Sequence, residues 1–147
     1  MRRFLGMLPL LLALAVLSAC GDDESTAGEP DPAASEPELV QMLVLTSAGG
    51  EVSPAAYFVD DRNDMKAYVK TFEDRDDVAA AVQQAVEDAG DRDGRLAAAT
   101  VAIGCDVPEG VSITQDQDRP EVRADKITNP KQECFAPTTS IALVEIP

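Results

Sequence analysis

The sequence predicts an α+β domain: short helices packed on a small, mostly antiparallel sheet, closed by one disulfide. Three observations carry this. Apolar residues recur at helical spacing between Met65 and Ala89. Short apolar or alternating runs flank that stretch on both sides. Two cysteines, Cys105 and Cys134, remain in the folded part. The predicted domain is residues 39–147. It holds 109 residues, 20 acidic and 10 basic, which suits one core. No internal repeat is present.

The elements follow in order. Leu39 to Leu45 is a short apolar run before Gly49-Gly50, the pattern of a strand. Ala55 to Val59 gives a second extended segment, and Pro54 keeps its start out of a central ladder. Asp60 or Asp61 can cap the helix that follows. Met65, Tyr68, Val69 and Phe72 fall at i, i+3, i+4 and i+7, on one helical face. A break is expected at Glu73–Asp76. Val78, Val82 and Val86 then recur every four residues, with Ala81, Ala85 and Ala89 beside them. Asp76 or Asp77 is a ready N-cap and Gly90 a ready stop. The spacing predicts two short amphipathic helices, or one interrupted helix.

After the polar turn Asp91-Arg92-Asp93-Gly94, Leu96 to Ile103 is small and apolar. It reads as a buried strand that delivers Cys105 at its end. Val111-Ser112-Ile113-Thr114 and Val122-Arg123-Ala124-Asp125 alternate, with Asp116-Gln117-Asp118 as a hairpin turn between them. Ser140 to Ile146 is apolar on both phases, as a central strand requires. The closing half is expected to be a meander of roughly four strands, with helices on one face of the sheet.

The N-terminus is of a different kind. Arg2 and Arg3 precede an uncharged, almost wholly apolar run from Phe4 to Ala19. A spanning helix needs about 20 apolar residues, so this run is short for one. It fits the apolar region of an export signal. The run ends Leu17-Ser18-Ala19-Cys20, then turns polar at Gly21-Asp22-Asp23-Glu24. Every position from 2 to 20 resembles the signal and lipobox of bacterial lipoproteins: an aliphatic residue, two small residues, then Cys. The weaker alternatives are an ordinary secretory signal with a chance Cys, or an uncleaved anchor. The resemblance implies that residues 1–19 are removed and that Cys20 carries acyl chains such as palmitate. It places the protein on the extracytoplasmic face of the cell membrane. Each buried acyl CH₂ contributes about 0.8 kcal/mol, so two or three chains hold a soluble domain durably.

Residues 20–38 then form the lipidated Cys and a tether. Residues 21–38 contain seven acidic residues, no basic ones, and Pro30, Pro32 and Pro37. Nothing there can build a core, and both Pro and like charge extend a chain. Export also bears on Cys105 and Cys134. They are an even pair in an oxidising compartment, and the expectation is a disulfide between them.

Charge narrows the function. Arg2 and Arg3 leave with the signal, so the mature chain has ten basic against 27 acidic residues, net −17. Nucleic acid binding demands clustered Lys and Arg, and is excluded as a partner class. Anionic headgroups repel such a surface, so membrane contact is expected through the lipid on Cys20 alone. Basic protein patches, cations or neutral ligands remain, or the charge simply keeps the surface solvated.

The order of elements over about residues 57–147 also resembles a family of small secreted bacterial domains. That family is named for the C-terminal part of a protease-complex lipoprotein. The shared order is a short helix, a strand ending in Gly (Val101-Ala102-Ile103-Gly104), two polar strands, and a closing apolar strand ending near Pro147. Where the family has a Gly-Gly-Tyr turn, this chain has Cys105-Asp106-Val107-Pro108. The resemblance implies a non-catalytic binding or assembly domain, and no functional residue is carried over.

Catalytic motifs are sparse. The chain has no His, which removes the commonest general base and His-dependent nucleophile pairs. Ser47, Ser53, Ser112 and Ser140 stand in neither G-x-S-x-G nor S-x-x-K. A Ser–Lys pair using Lys66, Lys70, Lys126 or Lys131 is the residual option. Gly49-Gly50 is too short for a phosphate loop. Paired carboxylates without Trp provide poorly for a sugar cleft. Placing Gly94 at position 6 of a calcium loop puts Ala89 and Thr100 where acidic ligands are required, so that motif fails. No metal, cofactor or catalytic residue is expected. The expectation is a non-catalytic module for another envelope protein, through a strand edge or the sheet face, with polar 111–127 as the candidate edge. The rival is a small-ligand or solute-binding lipoprotein.

Overall fold

The computed structural model describes residues 36–116, 119–131 and 133–147. The signal, Cys20, most of the tether and the turn residues Gln117 and Asp118 lie outside them. The order is β1 (Glu38–Thr46), β2 (Tyr57–Phe58), α1 (Arg62–Val69), α2 (Arg75–Ala89), β3 (Arg95–Gly104), β4 (Val111–Asp116), β5 (Arg119–Ala124) and β6 (Thr138–Ile146). This is an α+β fold with antiparallel sheets. β1 begins at Glu38, one residue inside the segment assigned to the tether.

Four strands form the main sheet in the order β1-β6-β3-β2, and every pairing is antiparallel. The closing half is therefore not a meander. β3 pairs with β6 directly, and β4 and β5 form a separate hairpin. Strand periodicity tells which side chains share a face but not which strand lies alongside. That is why the sequence order suggested neighbours that the sheet does not use.

The helices cover one face of the main sheet. Asp61 caps α1, its carboxylate accepting from the Asn63 and Asp64 amides at 2.7 and 2.9 Å. Tyr68 and Val69 on α1, and Phe72 just after it, are buried as their spacing predicts. α2 starts earlier than expected. Asp74 occupies its N-cap position without a side-chain bond, while Asp76 and Asp77 sit in the first turn, where their charge favours the helix N-terminus. Gly90 ends α2 at φ +68°, a conformation glycine adopts at little cost. Val78, Val82 and Ala85 pack onto Leu43, Leu96, Ala98, Ile141 and Leu143 of the sheet.

The hairpin covers the opposite face. Ala97, Ala99, Val101, Ala142, Val144 and Ile146 pack there with Ala56 and Val122. This second layer explains why Leu96–Val101 and Ile141–Val144 are apolar on both phases. The small side chains of Ala97 and Ala99 let the hairpin come close. It is stitched to the sheet through the segment before β2: the Ala56 amide donates to the Pro120 carbonyl at 2.9 Å, and the Val122 amide to that of Pro54 at 2.7 Å.

Both ends of the sheet are clipped. At one end, Arg92 bridges Glu38 of β1, at 2.8 Å, and Glu145 of β6. Glu145 also accepts from the Gly94 amide at 2.9 Å. A Cβ at Gly94 would lie 2.5 Å from the Ile146 carbonyl oxygen, so the turn into β3 requires glycine's bare backbone. At the other end Cys105 and Cys134 are bonded, with Cα atoms 5.4 Å apart. The disulfide joins the end of β3 to the approach of β6, closing a loop with a sequence separation of 29. In the chain-entropy treatment a loop of that size stabilises the fold by about 3–4 kcal/mol. Urea unfolding of the Cys105→Ser/Cys134→Ser chain should show that loss, and an unchanged midpoint would remove the disulfide from the account.

Candidate functional site

Among the described residues, the two cores leave one long strand with an unbonded edge. β1 is hydrogen-bonded to β6 on one side only among the described residues. The direction of its peptide groups follows from one bond. The Ser47 amide donates to the Pro137 carbonyl at 3.0 Å, in register with Leu45↔Thr139 and Leu43↔Ile141. Antiparallel peptide groups alternate in direction, so Leu43 and Leu45 bond β6. Met42, Val44 and Thr46 therefore point their N–H and C=O groups outward. The far side of the sheet agrees with this phase: the Leu96 and Thr100 carbonyls, facing away from β6, accept from the Val59 and Ser53 amides.

The outward edge is unusually bare. From Leu39 to Thr46 there is no charged residue and no proline. Val44 is 45% exposed and Leu39 37%. Soluble proteins ordinarily guard a free edge with lysine, proline, a bulge or a covering segment. β1 has an irregularity only at its start, between Leu39 and Gln41.

The other edges differ. On the β2 side, residues 54–56 bond β5, which closes that edge with the hairpin. The two strands of the 111–127 candidate region differ in this respect. β5 is flanked by β4 and by residues 54–56, and Val122 is 1% exposed. Val122→Pro would therefore remove a bonded amide and a core side chain, and would report on folding, not on a partner. The outer edge of β4 is open among the described residues, but it is short and carries the exposed polar residues Ser112, Thr114 and Gln115.

No protein-family model, curated protein or solved structure matches this chain.

Three further features stand apart from the edge. A groove of about 340 Å³ lies under α1, lined by Glu51, Ser53, Tyr57, Tyr68, Thr71 and Thr100 among others. At its base the Tyr68 and Thr100 hydroxyls are 3.0 Å apart and buried. Burial pushes the Tyr68 phenol well above its ordinary range, so it stays protonated. Two hydroxyls sharing one bond keep one proton to donate. At the disulfide end, Phe135 is fully exposed beside Cys134. At the other end, Glu36, Glu38, Asp93 and Glu145 line an acidic cleft of about 290 Å³, and Arg92 neutralises two of them.

The residues weighed for chemistry are dispersed. Ser53 accepts from the Ala55 amide, Ser112 donates to Asp125, and Ser47 takes a turn at φ +58°. Among the described residues none of the four serines is hydrogen-bonded to a lysine, and no group of three acidic or Cys side chains could hold a metal ion. Ser140 is fully buried on β6, opposite Val44, and its hydroxyl has no partner. No helix among the described residues is long and apolar enough to cross a membrane.

Two outcomes follow for stability. An unbonded buried hydroxyl costs its desolvation, so Ser140→Ala should be neutral or stabilising by up to about 1 kcal/mol in urea unfolding, whereas Tyr68→Phe, which strands Thr100, should destabilise by about 1–2 kcal/mol. The Arg92 bond and the Gly94 amide hold the Glu145 carboxyl below its ordinary value near 4.5. A lowered folded value means that this contribution is complete above about pH 4.5 and disappears as pH falls through the folded value. Glu145→Gln should therefore flatten the acid limb of the stability curve and leave its shape near neutrality unchanged.

Proposed function

We propose that this chain is a lipid-anchored extracytoplasmic protein whose domain is a non-catalytic binding or assembly module for another envelope protein. The lipobox residues Leu17-Ser18-Ala19-Cys20 support the anchoring, and the turn to acidic sequence behind them supports the tether. The single observation that carries the binding role is the uncharged open edge of β1. A partner's extended segment can add to it as a further strand, drawing affinity from backbone bonds and specificity from flanking side chains. About 18 residues from Cys20 to Glu38 set an upper limit of roughly 60 Å on the distance between anchor and domain.

A second reading, small-ligand capture, draws on the groove under α1, with the spare Tyr68–Thr100 proton as its donor and Glu51 as its only charge. It calls for a neutral or cationic compound with an acceptor atom. Ligand-induced thermal stabilisation that disappears in Thr100→Val would favour it.

The test of the leading reading is crosslinking in native membranes, followed by identification of what co-purifies. Cys20→Ser removes the anchor, and Val44→Lys places a charge on the outward edge without touching the core. The expected outcome is a specific neighbour lost in both variants. A neighbour retained at full yield by folded Val44→Lys would contradict the edge as the contact.

A further inference from the structure

The open edge is self-complementary, and from this we infer that it receives a second copy of this chain: β1 pairs antiparallel with β1 of the copy about a two-fold axis at Val44. The inference rests on the open-edge reading above and names its partner.

The outward peptide groups belong to Met42, Val44 and Thr46, a set symmetric about its middle member. A two-fold axis there places Val44 opposite Val44 and Met42 opposite Thr46 of the copy. All three outward residues are then in hydrogen-bonded positions, giving roughly six backbone bonds across the axis. Antiparallel pairing also continues the type used throughout the main sheet. The assembled sheet would read β2-β3-β6-β1, then the copy in reverse. Closed two-fold contacts of this kind use the same patch on both subunits and do not propagate into fibres.

Charge favours this register over others. The chain is strongly acidic, net −15, so two copies repel wherever carboxylates meet. The nearest acidic residue on the edge, Glu38, would stand opposite Gly50 of the copy, past the end of its strand. It is already paired with Arg92. Val44 and the half-buried Met42 share the face carrying the hairpin, so their apolar surface is covered by the copy. A β-branched residue facing its own copy across the axis is a favourable cross-strand pair. Two chains anchored in one membrane would meet at a high effective concentration, so the contact need not be tight in free solution.

The test uses the full mature chain, residues 20–147, with Cys20→Ser and the disulfide intact. Light scattering should show a concentration-dependent dimer that Val44→Lys abolishes, while its circular dichroism, and its melting at concentrations where the parent is monomeric, stay those of the parent. Added salt should strengthen the dimer by screening the acidic surfaces. Val44→Cys serves as a near-isosteric second variant: its thiols meet at the axis, so mild oxidation should give a covalent dimer at least tenfold faster than Thr114→Cys, on the edge of β4. A chain monomeric up to about 1 mM, with no preferential Val44→Cys crosslink, overturns the second copy. If a different neighbour is then lost from Val44→Lys membranes, the edge reading stands and only the partner named here fails. If no neighbour responds to Val44→Lys, both fail.

Discussion

The domain depends on β6 being buried from both sides. Ile141 and Leu143 point into the helical layer, Ala142 and Val144 into the hairpin layer, and none of the four is exposed. A strand in that position cannot satisfy its peptide groups with water, so it must have a bonded neighbour on each edge. β3 takes one edge. β1 takes the other and becomes the boundary of the sheet. The exposed β1 edge is thus a consequence of where β6 sits. The same logic explains the two clips, Arg92 with Glu38 and Glu145 at one end and Cys105–Cys134 at the other, which hold the ends of β1, β3 and β6 in register.

Much of this was legible in the residues. The α1 face, the stop at Gly90, the double-sided character of Ser140–Ile146 and the Cys105–Cys134 pair all follow from local spacing, chain parity and turn chemistry. The topology was not legible, for a physical reason. β4 and β5 alternate as half-buried strands do whether they extend a sheet or lie across one. Alternation therefore showed that Val122 has a buried face without showing that its amide is bonded to Pro54. The helix start at Arg75 was missed because three acidic residues within four positions, Asp74, Asp76 and Asp77, are all competent near a helix N-terminus. Of the candidate edge 111–127, polar sequence did not tell that β5 is bonded on both sides while β4 is bonded on one. Among the described residues the longer open edge is the apolar run Leu39–Leu45, and the signal that could have found it is its lack of any charge.

An acidic surface and a neutral edge have opposite effects on association. Net charge keeps the chain soluble and discourages indiscriminate contact. An uncharged strand with outward peptide groups invites pairing. Together they make β1 a place where association meets less charge repulsion than on the acidic surface around it.

The most direct measurement of the central claim is residue-resolved amide hydrogen exchange on the dilute, unanchored mature chain. The account predicts an alternation along β1, with Leu43 and Leu45 protected by β6 and Met42, Val44 and Thr46 exchanging freely. Uniform protection across residues 42–46 in the dilute monomer would mean that something already covers this edge, and would contradict the account.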